Sequence, residues 1–227
     1  MEIRFLGHAC FELIDGSTRV LVDPFLDGNP KAAVAAADVE PTHILVTHGH
    51  QDHTSDVVAI AKRTGAPVGA IVELAGEFGE DLGDEHTVHD WNMGGTLEFD
   101  WGWAKLVPAW HTSTTPKGTT NVPAGLVIHL GGTTVYHLGD TALFSDLQLV
   151  GRRHPIDVAL MCIGGYYTMD RHDAVDAARF VGATTVIPCH YNTFPPIETD
   201  DGAFKADVER ETDSQVVILQ PGETFTP

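Results

Sequence analysis

The sequence has few cysteines and no arrangement that would pair them. Cys10, Cys162 and Cys189 are odd in number and far apart, and none belongs to a C-x-x-C motif. This spacing argues against a disulfide framework and against a cysteine zinc site. All three lie in apolar, strand-like stretches, so we expect buried thiols.

Basic residues are also scarce. The 227-residue chain has 13 Lys and Arg against 32 Asp and Glu, a formal net charge of -19. Binding to nucleic acid draws much of its affinity from Lys and Arg that displace counterions, and Lys62-Arg63 and Arg152-Arg153 are the only basic pairs. A nucleic-acid partner is therefore disfavoured, and we expect a small-molecule substrate.

The chain also lacks a long apolar run, a signal region and a serine nucleophile motif. No stretch approaches the roughly 20 apolar residues of a membrane span, and the N-terminus opens directly on the strand-like residues 2–6. We therefore predict a cytoplasmic protein without a membrane segment. The absence of G-x-S-x-G removes the main covalent route to hydrolysis.

The remaining composition is that of a globular protein. Hydrophobic residues make up 43% of the chain, enough for a sizeable core. No linker rich in Pro, Gly or Ser divides the chain, so we predict one domain over residues 1–227. The sequence gives no indication of oligomeric state.

The pattern predicts alternating strands and helices. Gly16 and Gly131-Gly132 indicate tight hairpins, and Gly65 and Gly182 indicate helix ends. Predicted helices cover residues 55–64, 73–82, 142–150 and 173–181. Predicted strands cover residues 3–6, 10–14, 19–22, 43–47, 67–72, 87–92, 96–99, 104–109, 124–130, 133–138, 156–163, 184–189 and 216–219.

The most informative stretch follows the apolar run Ile44-Leu45-Val46. Three imidazoles and a carboxylate occupy residues 48 to 53 in the order H-x-H-x-D-H. His48 and His50 project to the same side of an extended tail and can bind one ion, while Asp52 and His53 can reach a second. The alternative, a polar loop or a helix cap at Asp52, accounts for one residue and not for three histidines.

Other His and Asp residues follow predicted strands in the same way. His48, His111, Asp140 and His190 each lie at the C-terminal end of an apolar run. Strands of two packed sheets that end at one edge would bring them together. The first ion would then take nitrogens from His48, His50 and His111, the second would take Asp52, His53 and His190, and Asp140 would bridge both. This ligand set suits zinc and is compatible with manganese or iron.

Some of these positions have a plain structural alternative. His111 is also consistent with a partly exposed histidine at a strand end, and Asp140 with a turn residue. Asp23 is expected behind the ligands, where it would orient an imidazole, with a turn role as the alternative. His8 would face the substrate or be structural. Tyr191 and Asn192 follow His190 and are candidates for the substrate pocket.

With these residues the chain resembles the metallo-β-lactamase fold superfamily, which uses the H-x-H-x-D-H run and then His, Asp and His in this order. Within that superfamily it is similar to the UPF0173 group of metal-dependent hydrolases. The likeness extends from residue 3 to about residue 220. The stretches that carry the group resemblance are residues 7–11, 22–24, 136–141, 164–169 and 188–195.

The resemblance implies an α/β (α+β) fold, a four-layer αββα sandwich with the site at the edges of the two sheets, but no substrate. Two divalent ions would lower the pKa of a bridging water, so that a hydroxide would attack an ester-like bond at neutral pH. Asp52 would accept or return a proton as the catalytic carboxylate. Lactone, thioester and phosphodiester substrates all remain open.

Two other classes of function are retained. Related folds hold di-iron oxidoreductase centres, in which a carboxylate commonly replaces one histidine, whereas His50 is intact in this chain. A non-catalytic metal-binding module is the other alternative. Hydrolysis of generic esters or phosphodiesters by metal-loaded protein would distinguish a hydrolase from such a module.

The charge excess generates a prediction about stability. Repulsion within an acidic surface weakens as salt screens it, so we expect the urea midpoint of unfolding to rise with KCl up to molar concentrations. Such a rise would agree with the hypothesis that the acidic surface is suited to a salt-rich cytoplasm. A midpoint that molar salt leaves unchanged would contradict that hypothesis.

Overall fold

The computed structural model describes residues 1–227 and contains two seven-stranded sheets. In the first sheet the spatial order is β14-β1-β2-β3-β4-β5-β6. Its strands are β1 (Glu2–Gly7), β2 (Cys10–Asp15), β3 (Thr18–Val22), β4 (His43–Leu45), β5 (Val68–Ile71), β6 (Val88–Trp91) and β14 (Thr224–Phe225). Strands β3 to β6 pair in parallel, and the pairs among β1, β2, β3 and β14 are antiparallel.

The second sheet has the spatial order β13-β12-β11-β10-β9-β8-β7. Its strands are β7 (Thr96–Phe99), β8 (Gly102–Pro108), β9 (Ala124–Leu130), β10 (Thr133–His137), β11 (Val158–Cys162), β12 (Thr185–Cys189) and β13 (Gln215–Val216). Strands β10 to β13 are parallel, while β7 to β10 are antiparallel. Each sheet is therefore mixed, with a parallel half that requires helical crossovers.

Helices cover the outer faces of both sheets. They are α2 (Val57–Thr64), α3 (Val72–Leu82), α4 (Leu147–Arg153), α5 (Arg171–Val181) and α6 (Asp201–Glu211), while the short helix α1 (Gln51–Thr54) lies between β4 and α2 in the chain. Helix α3 packs on β5 and β6, and α2 packs on α3; helix α5 packs on β11, α6 on β13, and α4 on α5. The predicted αββα sandwich is confirmed. No helix has both the length and the apolar content to cross a membrane.

Strand alternation explains why both faces of the second sheet are buried. In β9, Leu126 and Ile128 belong to the core between the sheets, and Val127 belongs to the core under the outer helices. In β11, Leu160 belongs to the core between the sheets and Met161 to the core under the outer helices. Successive side chains of a strand point to opposite faces, so a sheet covered on both sides requires apolar residues at nearly every position.

Glycines fix several of the predicted turns. Gly131 and Gly132, which join β9 to β10, have φ values of 57° and 78°, as a two-residue hairpin of this kind requires. Gly65 ends α2 and Gly182 ends α5 with left-handed φ values of 74° and 63°. The sequence predicted the hairpin and both helix ends.

The structure departs from the prediction at the start of one helix, in one additional helix and at the last predicted strand. The predicted helix at 142–150 is α4, which begins only at Leu147, because residues 142–144 are irregular, residues 145–146 form a turn, and the Ala142 amide donates to the Trp110 carbonyl. Helix α6 was not predicted, since Phe204 and Val208 are its only buried residues and give little periodic signal. The predicted last strand at 216–219 is shorter, and β14 follows it at the edge of the other sheet.

The contact between α4 and α5 generates a prediction. A Cβ on Gly151 would lie 2.0 Å from the Val181 carbonyl oxygen, whereas a Cβ on Gly76 in α3 would meet nothing within 4 Å. We expect Gly151→Ala to lower the free energy of unfolding by about 2–3 kcal/mol through overpacking. The matched control Gly76→Ala should raise it by up to about 1 kcal/mol. Equal effects of the two variants in urea unfolding would contradict the packing described.

Candidate metal centre

Three strand-end histidines predicted to meet Asp140, namely His48, His111 and His190, lie around its carboxylate. Asp140 Oδ2 is 3.0 Å from His190 Nε2, 3.6 Å from His111 Nε2 and 3.9 Å from His48 Nε2. Its other oxygen, Oδ1, is 3.4 Å from His53 Nε2. Asp140 is only 3% exposed. A buried carboxylate at the junction of the two sheets therefore faces four imidazoles.

The first group of candidate ligands consists of His48, His50 and His111. One nitrogen from each lies within 4.8 Å of the others, and His48 Nε2 is 3.1 Å from His50 Nδ1. The ring of His111 lies 5.4 Å from that of His48 and 5.1 Å from that of His50, centroid to centroid. This group is the one expected from the sequence.

The second group contains Asp52, His53 and His190, as expected, together with His8. Asp52 Oδ2 is 3.8 Å from His190 Nε2. His8 Nε2 donates to Asp52 Oδ2 at 3.1 Å, and His8 Nδ1 accepts from Thr193 Oγ1 at 2.9 Å. Both nitrogens of His8 are thereby used, so this histidine orients Asp52.

Asp23 lies behind the ligand groups and makes three hydrogen bonds. It accepts from the Thr47 amide at 2.8 Å, from Thr47 Oγ1 at 2.6 Å and from His53 Nδ1 at 2.8 Å. Thr47 Oγ1 in turn lies 3.0 Å from His48 Nδ1. The Nδ1 atoms of His48 and His53 therefore both carry protons, so their Nε2 atoms, which face Asp140, are the ones that would bind an ion in the neutral form of each ring.

The electrostatics of the centre require positive charge beside Asp140. Burial opposes charge on His53, but Asp140 and Asp23 raise its pKa well above the usual value. Burial likewise opposes charge on His190, yet Asp140 raises its pKa to about 9. Burial would raise the pKa of Asp140, but His190 and His53 hold it well below its usual range, so the carboxylate is ionised.

Other imidazoles of the centre are neutral. Burial and the neighbouring His53 lower the pKa of His48 well below its usual value, and burial also lowers that of His111. Burial and His190 lower the pKa of His8 to about 4. Neutral imidazoles are the form that binds metal ions.

Unsatisfied polar atoms show that the residues fit a bound cation. His53 Nε2, His190 Nε2 and Asp140 Oδ1 are buried and have no hydrogen-bond partner. Buried polar groups without partners are costly in a folded protein. Their convergence on one space, with nitrogen and carboxylate donors, suits a divalent ion such as zinc.

The backbone around the centre is unusual. Five residues other than glycine have left-handed φ values between 49° and 60°, and four of them lie at or beside the ligand groups. These four are His8, Asp23, His190 and Asn192. Such conformations cost free energy and are found mainly where the surrounding structure holds a functional side chain in place.

Gly49 and the loop after His111 form a contact that the sequence analysis missed. The Gly49 amide donates to Ser113 Oγ at 2.8 Å, and Ser113 Oγ donates to Asn121 Oδ1 at 2.7 Å. A Cβ on Gly49 would lie 2.6 Å from Asn121 Nδ2. Glycine between His48 and His50 is therefore required for this close approach, although the sequence predicted only a loop for residues 112–123.

Tyr191 and Asn192 lie beside the centre and do not point into it. The Tyr191 hydroxyl donates to Asp201 Oδ2 at 3.1 Å, and Asn192 Oδ1 accepts from the Thr199 amide at 2.8 Å. These bonds hold the segment after His190 in place. Thr193, which the sequence analysis did not select, makes the direct contact with His8.

Comparisons with known proteins agree with this fold and centre. Residues 2–190 match the family model described as a beta-lactamase superfamily domain. A UPF0173 metal-dependent hydrolase of Thermus thermophilus is 46% identical over 226 residues, 99% of this chain and 98% of the relative. One of Archaeoglobus fulgidus is 45% identical over 231 residues, 99% of this chain and 98% of the relative. The structure of Igni18, a metallo hydrolase from Ignicoccus hospitalis, superposes with a TM-score of 0.89 at 33% identity, covering 99% of this chain and 97% of that one.

The two mixed sheets, their helical layers and the His and Asp groups at their edge thus define an enzyme of the metallo-β-lactamase superfamily. The chain belongs to the UPF0173 family of metal-dependent hydrolases. The resemblance stated from the sequence is confirmed.

The hydrogen bonds of Asp23 generate a prediction. We expect Asp23→Ala to lower the free energy of unfolding by about 3 kcal/mol, because it leaves His53 Nδ1 and the Thr47 amide buried without an acceptor. Asp23→Asn should cost less, since its amide oxygen still accepts from Thr47. The control Asp84→Ala, at an exposed position, should change stability by less than about 0.5 kcal/mol. If Asp23→Ala unfolded in urea like this control, the bracing role of Asp23 would be wrong.

Proposed function

We propose that the enzyme binds two divalent ions, zinc by preference, and hydrolyses an ester-like bond in a small molecule. His48, His50 and His111 would hold the first ion, and Asp52, His53 and His190 the second. The observation that carries the proposal is the position of Asp140, whose two oxygens lie within 3.9 Å of nitrogens from both groups. This supports a bridging role for Asp140.

When bound, the ions would supply a water nucleophile at neutral pH and polarise the oxygen of the scissile bond. Asp52 is the carboxylate placed to move a proton. Its side chain is 34% exposed, so it reaches the open side of the centre, and His8 holds its Oδ2 at 3.1 Å. It can therefore accept a proton from water and return it to the leaving oxygen.

Asp23 and Thr47 contribute by fixing ring orientation. Their hydrogen bonds occupy the Nδ1 atoms of His48 and His53 and leave the Nε2 atoms directed at Asp140 as the atoms that would bind the ions. Groups of this kind typically affect metal affinity by about 10- to 100-fold. Because water would be the nucleophile, the proposed reaction requires no protein side chain to form a covalent intermediate.

The substrate proposed is a small molecule rather than a nucleic acid. The net charge of -19 disfavours a polyanion, and lactone, thioester and small phosphodiester bonds are all compatible with the chemistry. We propose zinc as the physiological metal because the donors are imidazole nitrogens and carboxylate oxygens. We propose a cytoplasmic location from the composition of the chain.

The ligand set generates a direct prediction. His50→Ala and His111→Ala should each lower metal content in elemental analysis and abolish turnover of generic esters and phosphodiesters, because each removes one of three nitrogens in the first group. His172→Ala, which changes an exposed histidine at the start of α5, is the matched control and should retain metal and activity.

A metal-free His50→Ala variant with full activity would refute this proposal. If the unsubstituted protein binds metal but hydrolyses no ester or phosphodiester, the result would instead favour a non-catalytic metal-binding module.

A further inference from the structure

The second ligand group opens into a cleft of about 500 Å³. Asp52 and His190 lie on its inner side, and its walls include Phe25, Phe194 and Ile197. A volume of this size lies within the range of small-molecule sites. The cleft therefore adjoins the proposed reaction centre and is large enough for part of a substrate.

The aromatic wall is held in place before any ligand binds. The rings of Phe25 and Phe194 lie 6.4 Å apart, and each meets the His8 ring edge-on at 5.7 Å. Phe25 is only 7% exposed, and the next residue, Leu26, donates its amide to Asp56 Oδ2 at 2.6 Å. A rigid apolar wall can bind an apolar group without a large ordering cost.

Tyr167 forms the outer side of the cleft and is 58% exposed. Its loop is tied to the centre, because the Met169 amide donates to the Thr141 carbonyl at 2.9 Å. A Cβ on Gly164 would lie 2.3 Å from the His190 carbonyl oxygen, so this loop packs directly on the segment that carries His190. The loop that carries Tyr167 is thus fixed beside the cleft.

No lysine or arginine lines the cleft. Lys31 lines a separate one, together with Tyr191 and Asp201. A substrate carboxylate or phosphate placed between Phe25 and Phe194, on the outer side of the cleft away from the metal ligands, would lose its hydration without gaining a lysine or arginine partner. The aromatic walls therefore favour an uncharged group at this position.

We propose that the cleft beside Asp52 and His190 binds an uncharged, ring-sized apolar group of the substrate, so that the enzyme acts on neutral esters with an aromatic or bulky aliphatic substituent. This inference rests on the proposed hydrolytic function and specifies its substrate class.

Turnover by the metal-loaded enzyme gives the first test. Methyl phenylacetate, methyl acetate and monomethyl succinate share a leaving group and differ in the neighbouring substituent. We expect kcat/KM for methyl phenylacetate to exceed that for methyl acetate by about tenfold or more, from burial of the ring. Monomethyl succinate should be no better than methyl acetate.

Substitutions in the cleft should change this order. Phe194→Ala should lower the ratio of phenylacetate to acetate, and Tyr167→Lys should raise the rate on monomethyl succinate relative to methyl acetate. The control Leu149→Ala removes an exposed apolar side chain from α4, away from the cleft, and should leave both ratios unchanged.

Binding gives a second test that does not depend on turnover. In a nuclear magnetic resonance titration of the metal-loaded protein, phenylacetamide should shift the amides of Tyr167 and Phe194 at about tenfold lower concentration than succinamate. Phenylacetamide binding that is no tighter than succinamate binding would overturn the inference, whatever the turnover. Preferential binding without hydrolysis of any ester would support the apolar site and contradict the proposed hydrolysis.

Discussion

The central constraint of the structure is the burial of the Asp140 carboxylate between two sheets. A buried carboxylate is stable only when positive charge or hydrogen-bond donors surround it. In this chain four imidazoles surround it, delivered by the ends of β4, β8 and β12 and by the short helix α1, and two of them, His53 and His190, carry the positive charge. Asp23, Thr47 and His8 then orient the surrounding side chains, so the polar layers around Asp140 depend on one another.

Much of the site was predictable because its residues follow strands. An apolar run that ends in His48, in Asp140 or in His190 indicates both the strand and the edge at which the side chain lies. Gly65, Gly131 and Gly182 likewise indicated turns that require left-handed backbone. Each of these sequence signals is local to one strand or turn. The sheets then place the ends of their parallel strands at one edge, which brings the strand-end residues together.

The features that the sequence did not reveal depend on distant contacts or weak patterns. His8 meets Thr193, which is 185 residues away, and Asp52, which is 44 residues away, so no local pattern shows its role. Helix α6 buries only Phe204 and Val208, and most of its other residues are charged. Residues 142–146 include helix-forming residues, but the Ala142 amide is bonded to the Trp110 carbonyl, so that a tertiary contact overrides local preference at the start of the segment.

The most direct test of this account is anomalous diffraction from crystals of metal-loaded protein. The account predicts two peaks, one coordinated by His48, His50 and His111 and the other by Asp52, His53 and His190, with Asp140 in contact with both. A single peak, or peaks remote from Asp140, would contradict the central claim that this carboxylate joins two metal sites.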